Sequence, residues 1–528
     1  MNSYLLRAIG FQFNFLYSSH VKKFPYIKKQ GKRMTQLSYK SAEELSKMIL
    51  EKEISSLELL EYYISRVEKF NPDINAIIVK DYENAKKAAV TADDLLSKGN
   101  IMGPLHGVPM TIKDSYDLAG TVTSRGNPAL KDNIAAKDAL SIERLKNAGA
   151  IIFGKTNVPY NLADFQSYND IYGTTNNPWD LTRSPGGSSG GSAAALASGM
   201  TGFETGSDIG GSIRNPAHFC GVFGHKPTWG LLPPRGHAAP NVLSQSDLTV
   251  IGPLGRSAQD LETGVLVMGG PDEIDGAGLK MDLEKPNKTS LKEYKIAAWV
   301  NEDFAPVNQE TQNRVTNVAE TITSNKGIVD FEAKPDFDIL EAMDTYASLL
   351  HPTMASRSSE EDYQKLLDKF KELDSSDKNK STTLDPTHDS QSAYTLKKQI
   401  SSLRDYNIAN EKRTHLRWAW HEFFKEYDAV IAPIMATDAI EHDHGAFGDR
   451  IVMVDNDERP YFEQVFWAGL AIASYLPSTV IPTGLSEKGL PIGVQIIGPQ
   501  YGDLKTIGLA KLLEKEGFKF QSPKNYQD

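Results

Sequence analysis

Two glycine- and serine-rich segments, Ser184–Ser192 and Gly206–Ser212, carry hydroxyl groups that could do covalent chemistry. A serine hydroxyl attacks a carbonyl carbon efficiently only when a neighbouring base takes its proton. Lys113 ends an apolar, strand-like run upstream of both segments, and burial there would favour its neutral amine, which is a base. We therefore expect serine-based acyl transfer. A salt bridge to the adjacent Asp114 is the alternative interpretation of Lys113.

A second pattern, Gly149–Thr156 (GAIIFGKT), fits the phosphate-binding P-loop letter by letter. A P-loop needs variable residues that form a loop, followed by a helix. The variable residues here are Ala-Ile-Ile-Phe, which favour a strand, and no helix signal follows them. We predict that Lys155 is an ordinary strand-end residue and that this segment does not bind a nucleotide.

A third pattern, Gly186–Gly190 (GGSSG), fits the nucleophile elbow of Ser-His-Asp hydrolases. That elbow requires a preceding strand, whereas Thr182–Pro185 is not strand-like. His442 and His444 flank Asp443 downstream, in a polar stretch where paired surface histidines are the simpler interpretation. Their spacing could also bind a metal ion, but no carboxylate or cysteine set stands out as a partner. A Ser-His-Asp triad and a metal site therefore remain only as alternatives.

Taken together, three segments resemble the amidase signature family. They are Gly107–Asp114 (GVPMTIKD), Ser184–Ser192 (SPGGSSGGS) and Gly206–Pro216 (GSDIGGSIRNP). The resemblance spans about 100–235 and resumes at Gly252–Ser257 and Leu490–Pro499. It implies an α/β fold with a large mixed β-sheet surrounded by α-helices. It also implies an amidase that converts a carboxylic amide to a carboxylate plus ammonia or an amine.

The same resemblance assigns the catalytic roles and implies no metal or organic cofactor. Ser212 would attack the amide, Lys113 would be the base, and Ser188, preceded by a cis peptide bond, would pass the proton between them. A hydroxyl can do so because it donates one proton and accepts another. The oxyanion hole would consist of the backbone amides of Ile209, Gly210 and Gly211.

Neighbouring polar residues are expected to support these loops. Asp208 and Arg214 would hold the nucleophile loop by an ion pair or hydrogen bonds. Ser189 and Ser192 would be supporting hydroxyls, with a direct role for Ser189 left open. Three other residues with reactive side chains are predicted to be structural: the buried thiol of Cys220 and the imidazoles of His218 and His106.

The elements that must position these residues can be predicted from capping and periodicity. Ser41–Glu44 and Ser55–Glu58 are capping boxes that open two helices, the second ending before Asn71 and Pro72. Further elements are expected as follows: a buried strand at 76–79, a polar helix at 82–98, strands at 107–112 and 150–153, an amphipathic helix at 411–430 leading to a strand at 429–432, buried helix and strands at 464–500, and a last helix at 503–516.

The chain is expected to hold one amidase domain, 34–528, with its catalytic region at 100–235. Residues 270–445 are charged and helix-prone, and we predict a helical cap or insertion that covers the active-site mouth. Within them, 372–392 is nearly devoid of apolar residues and is predicted to be a mobile loop. Residues 1–33 carry seven Lys or Arg and no acidic residue, and are interpreted as a disordered or misannotated leader. Association of this leader with a membrane surface or with export is left open.

Composition limits the classes of partner. The net charge of −11 argues against non-specific nucleic-acid binding, which needs Lys and Arg stripes. The single cysteine excludes a disulfide within the chain and fits a cytoplasmic, reducing compartment. No apolar run is long enough to span a bilayer. We expect a small-molecule amide substrate and leave a homodimer open.

Two rival functions remain on the sequence. One is the glutamine-hydrolysing A subunit of a tRNA-dependent amidotransferase; the other is a non-catalytic binding protein on the same fold. The stretch Arg235–Pro240 (RGHAAP) is associated with stand-alone amidases, and the presence of all three triad residues argues against a binding protein. Carbamate and anilide substrates also stay open. Tyr160 stands where many relatives have an acidic residue, Phe447 is a candidate pocket aromatic, and Trp467 is predicted to be core.

Overall fold

Two capped helices begin the part of the chain that the computed structural model describes, which is residues 37–237, 239–240, 242–375 and 393–527. Ser41 and Ser55 both form complete capping boxes, with Glu44 and Glu58 as their partners, as predicted. Each box satisfies two backbone N–H groups that a helix terminus would otherwise leave unpaired. The predicted leader 1–33 lies outside the described residues.

The described residues form fourteen α-helices. They are α1 Ala42–Leu50, α2 Ser56–Ile74, α3 Tyr82–Ser97, α4 Leu140–Asn147, α5 Gly190–Ala197, α6 Arg214–Cys220, α7 Ala258–Met268, α8 Gln309–Ser324, α9 Ile339–Ala355, α10 Glu360–Ser375, α11 Ala393–Gln399, α12 Leu403–Phe423, α13 Val465–Ala473 and α14 Asp503–Lys515. Within the described ranges, no helix is long and apolar enough to cross a membrane.

The strands form one large sheet, one small sheet and two short ribbons. They are β1 Ile77–Lys80, β2 Pro109–Lys113, β3 Ile151–Thr156, β4 Tyr168–Asn169, β5 Gly173–Thr174, β6 Glu204–Asp208, β7 Phe223–Lys226, β8 Val250–Gly255, β9 Lys295–Ala298, β10 Ile328–Asp330, β11 Ala429–Ala432, β12 Ile451–Val454, β13 Asp457–Pro460, β14 Ser478–Leu485 and β15 Pro491–Ile497.

The large sheet has eight strands in the order β10-β9-β11-β15-β14-β7-β8-β6. It is mixed, because β9 pairs in parallel with β10 and β11 while the remaining neighbours are antiparallel. Helix α6 packs against β14 and β15, and α14 packs against β14. Strands β7, β8, β11 and β15 are buried at every position, as expected for a sheet covered by helices. The predicted fold class is confirmed.

The small sheet, in the order β1-β3-β2, lies beside the edge of the large one, since β2 contacts β6. Strands β2 and β3 are parallel and fully buried. The prediction of a buried strand at 76–79 is only partly right. Strand β1 is an edge strand of this sheet, and only its first residue, Ile77, is buried.

Helix α2 corrects a second expectation, because it continues through Pro72 to Ile74. Pro72 lacks a backbone N–H, which normally ends a helix nearby. Here Ile74 is buried, and the Asn71 amide bonds the backbone of Ala76 and Ile77. These contacts offset the missing hydrogen bond, so the turn stays helical.

The region 270–445 is less helical than predicted. Its described residues include β9, β10 and β11 of the large sheet, with α8 packed on them, and the helices α9 to α12. The short strands at Lys295–Ala298 and Ile328–Asp330 were not predicted, although the first begins an apolar run, Ile296–Val300 (IAAWV), that could have marked it. Helix α10 extends to Ser375, so residues 372–375 of the predicted loop are helical. Residues 376–392 of that prediction lie outside the described residues.

Candidate active site

Lys113 is the last residue of β2 and is completely buried. Its Nζ lies 2.7 Å from Ser188 Oγ, 2.9 Å from Ser189 Oγ and 3.0 Å from Ser207 Oγ. Three serine hydroxyls from two separate segments therefore converge on one amine. Ser189, whose role the sequence left open, contacts this amine directly.

The surroundings of Lys113 favour its neutral form. Burial lowers the pKa of Lys113 well below its ordinary value of 10.5. The negative charges of Asp208 and Glu204 oppose this shift, and the positive charge of Arg125 adds to it. A neutral lysine amine has a free electron pair and can accept a proton, as a general base must.

Asp114, the alternative partner of Lys113, pairs with Lys155 instead. Lys155 Nζ lies 2.7 Å from Asp114 Oδ1, and both side chains are fully buried. Lys155 stands in β3, as the strand-like interpretation of Gly149–Thr156 predicted, and no helix follows that strand directly. The proposed salt bridge between Lys113 and Asp114 is therefore wrong. Lys155 is a buried structural cation, more than an ordinary strand-end residue.

Ser188 lies in a loop before α5. The Gly187–Ser188 peptide bond is cis, as the resemblance implies. Among the described residues, the strand before this loop is β5, which ends at Thr174, so the nucleophile-elbow interpretation lacks the strand that it requires directly before the serine. A Cβ atom at Gly187 would lie 2.4 Å from the carbonyl oxygen of Asp164, which explains why glycine occupies this position.

Ser212 lies in the loop between β6 and α6, with 6% of its surface exposed. The Ser189 N–H donates to the Ser212 carbonyl at 3.1 Å and so joins the two serine loops. Across the described residues, no hydrogen bond links Ser212 Oγ to Ser188 Oγ. Direct contact between these two hydroxyls therefore stays a prediction.

A buried ion pair holds the Ser212 loop. Arg214 donates to both carboxylate oxygens of Asp208, at 3.0 and 3.1 Å, and both side chains are fully buried. Asp208 also accepts the N–H groups of Gly211 at 2.8 Å and Ile213 at 3.1 Å. Burial alone would raise the pKa of Asp208, but the charge and hydrogen bonds of Arg214 outweigh it and lower the pKa.

The three predicted oxyanion donors differ in their surroundings. The Gly211 N–H is already engaged by Asp208, and Gly211 has a φ of +110°, which favours glycine. Within the described ranges, the N–H groups of Ile209 and Gly210 have no acceptor. The Ile209 carbonyl accepts a hydrogen bond from Tyr346 Oη at 2.7 Å. Two of the three amides are therefore available to a ligand.

The residues predicted to be structural have structural contacts. Ser192 Oγ lies 2.9 Å from Thr156 Oγ1 and bonds the Thr205 carbonyl. His218 bonds the backbone of Thr437 and Gly493, and His106 bonds that of Met102 and Ala92. Cys220 is buried and free, and burial raises the pKa of its thiol.

The remaining candidates are spread over the molecule. His444 stacks on Tyr168 at 3.8 Å, and the rings of His442 and His444 lie 5.8 Å apart. In the described part of the chain, no three His, Cys, Asp or Glu side chains form a metal-binding group. Trp467 is core, as predicted, and Phe447 packs on Tyr461. Tyr160 is exposed.

Four residues near Lys113 or the Ser212 loop were missed as site residues. Ser207 stood inside a quoted motif and could have been found there. His237, in Arg235–Pro240, approaches Ser115 Oγ at 2.8 Å. Burial lowers its pKa well below 6.5, and the charges of Arg125 and Arg357 add to this shift. Arg125 has a buried Nε with no hydrogen-bond partner in the described residues. Neither Arg125 nor Tyr346 belongs to a motif that would have marked it.

This geometry combines a buried amine with three serine hydroxyls around it, a further serine on a loop held by an ion pair, and two backbone N–H groups that have no acceptor among the described residues. Such a set can move a proton from a serine to an amine while a negatively charged oxygen develops nearby. Attack on a carbonyl carbon is the chemistry that uses all four features.

Comparison with known proteins agrees with this chemistry. The chain matches the family model described as Amidase over residues 58–507. It is 31% identical over 493 residues to the A subunit of the glutamyl-tRNA(Gln) amidotransferase of Caldanaerobacter subterraneus subsp. tengcongensis, and the match covers 91% of this chain and 96% of that protein. It is 31% identical over 542 residues to fatty-acid amide hydrolase 2 of Homo sapiens, covering 97% and 96%. A solved bacterial aryl acylamidase of the amidase signature family matches with a TM-score of 0.75 and 25% identity, covering 93% and 98%.

Proposed function

Because the chain belongs to the amidase family of hydrolases, which act on amide C–N bonds, we propose that it cleaves a carboxylic amide through an acyl-enzyme on Ser212. The observation that carries this proposal is the position of Lys113 Nζ. It is buried, shifted toward its neutral form and within 2.7 Å of Ser188 Oγ. A lysine in that state can act as the base that a serine nucleophile needs.

The reaction proceeds in two halves. Ser212 Oγ attacks the amide carbon, its proton passes to Ser188 Oγ, and the Ser188 proton passes to Lys113. The tetrahedral intermediate then expels the amine, which takes a proton back through Ser188. A water molecule then attacks the acyl carbon and gives its proton through Ser188 to Lys113. The second tetrahedral intermediate breaks its bond to Ser212 Oγ, which takes this proton back through Ser188, and the product acid leaves and ionises to the carboxylate. Each half ends with Lys113 neutral, so the relay is ready for the next step.

The negative charge on the tetrahedral intermediate needs preorganised donors. The N–H groups of Ile209 and Gly210 are unpaired within the described ranges and are the donors we propose. Asp208 and Arg214 keep the loop rigid, so these donors need little reorganisation as charge develops. No metal or organic cofactor takes part in this scheme.

A glutamine-hydrolysing A subunit remains the second candidate, because the Caldanaerobacter relative bears that name at 31% identity. Such a protein passes ammonia to a partner, whereas a stand-alone amidase releases it. We favour the stand-alone enzyme because the human relative, of equal identity, is described as an amide hydrolase and covers more of this chain. Hydrolysis of short amides, anilides, carbamates and glutamine by the purified chain distinguishes these substrates.

Ser212→Ala tests the proposed nucleophile. We expect it to abolish amide hydrolysis and labelling by a fluorophosphonate probe, because the variant lacks the attacking oxygen. Ser65→Ala removes an exposed hydroxyl from α2 and is the matched control, which should keep both activities. Unchanged labelling of Ser212→Ala would refute the assignment.

A further inference from the structure

Tyr346 on α9 reaches the loop that carries the proposed oxyanion donors. Its side chain is 1% exposed, and its hydroxyl donates to the Ile209 carbonyl oxygen at 2.7 Å. Burial, with the negative charge of Asp208, raises the pKa of Tyr346, so the phenol keeps its proton and remains a donor. This contact joins a helix of the 270–445 region to the loop before Ser212.

The hydrogen bond fixes the orientation of one peptide plane. A trans peptide is planar, and its C=O and N–H point in opposite directions. When Tyr346 holds the Ile209 carbonyl, the N–H of Gly210 must therefore point away from Tyr346. That N–H is one of the two donors that no described residue accepts.

The remainder of the loop is held from its other end. Asp208 binds the N–H groups of Gly211 and Ile213, which fixes the chain after Gly210. Glycine has wide backbone freedom, so the Ile209–Gly210 peptide would otherwise rotate between these anchors. Tyr346 supplies the constraint that the Asp208 contacts leave open.

The Tyr346 ring is itself seated on α13. A Cβ atom at Gly469 would lie 2.8 Å from Tyr346 Cδ1 and 2.9 Å from Cε1, so the ring lies directly on the helix backbone. A Cβ atom at Gly210 would lie 3.6 Å from the Tyr346 hydroxyl and 3.4 Å from Val465 Cγ2. The Tyr346 ring is thus packed against α13, and its hydroxyl lies beside Gly210 and donates to the Ile209 carbonyl oxygen.

We propose that Tyr346 is a positioning residue that aims the Gly210 N–H at the oxyanion of the transition state. The proposal rests on the proposed function, because it concerns the same site. It assigns to α9 a part in the reaction that no motif of the sequence indicates.

Tyr346→Phe removes the hydroxyl and leaves the ring in place. Loss of a whole oxyanion donor costs about 10²–10³ in rate, and a misaimed donor should cost less. We expect kcat per fluorophosphonate-titrated enzyme to fall roughly 10- to 100-fold, with KM within about threefold of the parent value. The Ki of a trifluoromethyl ketone, which mimics the tetrahedral intermediate, should rise by the same factor as kcat falls.

Two further variants separate this role from a structural one. Tyr39→Phe also removes a hydroxyl that donates to a main-chain carbonyl, at 2.6 Å from Tyr526, and should leave kcat unchanged. Gly469→Ala keeps the Tyr346 hydroxyl but displaces its ring, and should lower kcat and ketone affinity together. An unchanged kcat in Tyr346→Phe, or a raised KM with unchanged ketone affinity, would overturn the inference.

The parent enzyme and Ser212→Ala keep the two proposals apart. If the parent hydrolyses no amide, or if Ser212→Ala is as active as the parent, then the proposed function fails. If the parent is active, Ser212→Ala has no activity and Tyr346→Phe keeps the kcat of Tyr39→Phe, then only the inference on Tyr346 fails.

Discussion

Lys113 differs from a surface lysine in the groups that surround its amine. Its amine is surrounded by serine hydroxyls, while the nearest sequence neighbour of opposite charge, Asp114, is neutralised by Lys155. The buried pair of Asp114 and Lys155 thus leaves Lys113 without a direct ion-pair partner among the described residues.

Replacing Lys113 by Met leaves an unbranched side chain one atom shorter and removes the base. We expect kcat/KM to fall about 10²–10⁴-fold, the range for loss of a general base. In the parent, activity should rise with pH through the pKa of Lys113, well below 10.5, because the neutral amine is the active form. The variant should lack this rise.

Measuring kcat/KM over the range from about pH 5 to 10 in both proteins checks this expectation. Lys131→Met, at an exposed lysine, is the control and should keep the parent profile. A Lys113→Met enzyme with parental activity at neutral pH would contradict the assignment of the base.

Individual site residues could be predicted from the sequence only where they stand in a recognisable motif. Lys113, Ser188 and Ser212 stand in dense motifs, so their proximity to one another could be anticipated. Ser207 and His237 stood in quoted segments but were given no role. Tyr346 and Arg125 contact or approach the site only through tertiary folding, and no local pattern marks such residues.

At the scale of a single element, the Ser212 loop is held in shape by one side chain, Asp208. Its shape depends on a buried carboxylate that replaces water for two backbone N–H groups and one guanidinium. Removing one member of a buried pair leaves the other charge without compensation, which costs about 3–5 kcal/mol. The glycines that give the loop its shape also make it dependent on this external support.

Asp208→Asn should therefore lower the free energy of unfolding by about 3–5 kcal/mol, because Arg214 would remain buried without its counter-charge. Urea denaturation of the purified variant measures this loss. Asp180→Asn, at a partly exposed carboxylate, is the control and should change stability by less than about 1 kcal/mol. Equal effects of the two substitutions would contradict the role of the Asp208 carboxylate.

Helix and strand boundaries were predicted where local signals are strong. Both capping boxes were found because their residues satisfy the backbone locally. The last helix was also found, although no side chain caps its first turn. The end of α2 was not, because Ile74 is held by tertiary burial. Strands β9 and β10 are only four and three residues long, and they exist because the large sheet pairs with them.

For the whole molecule, Asp247 is a junction between distant parts of the chain. Its carboxylate accepts Arg413 Nη1 at 2.6 Å, the hydroxyl of Tyr475 at 2.5 Å and the hydroxyl of Tyr406. Arg413 and Tyr406 lie on α12, while Tyr475 follows α13. The Asp247 carboxylate therefore links the segment before β8 to α12 and to the residues that follow α13.

Asp247→Ala should loosen this junction, because each hydrogen bond to a charged group contributes about 1.5–3 kcal/mol. We expect faster amide hydrogen exchange in α12, and little change in α14, which does not contact Asp247. Hydrogen–deuterium exchange followed by mass spectrometry of peptides from both helices checks this. Uniform acceleration across the chain would indicate global destabilisation instead.

Lys113 and Ser212 belong to different sheets. Lys113 ends β2 of the small sheet, Ser212 follows β6 at the edge of the large one, and the hydrogen bond from Thr111 to Glu204 spans the seam between them. The proton transfer that we propose therefore depends on the distance between two sheets, which the contact of β2 with β6 sets. Gentle heating that separates the two sheets slightly should stop proton transfer from Ser212 to Lys113. Amide hydrolysis should then be lost at a temperature at which circular dichroism still reports an intact fold.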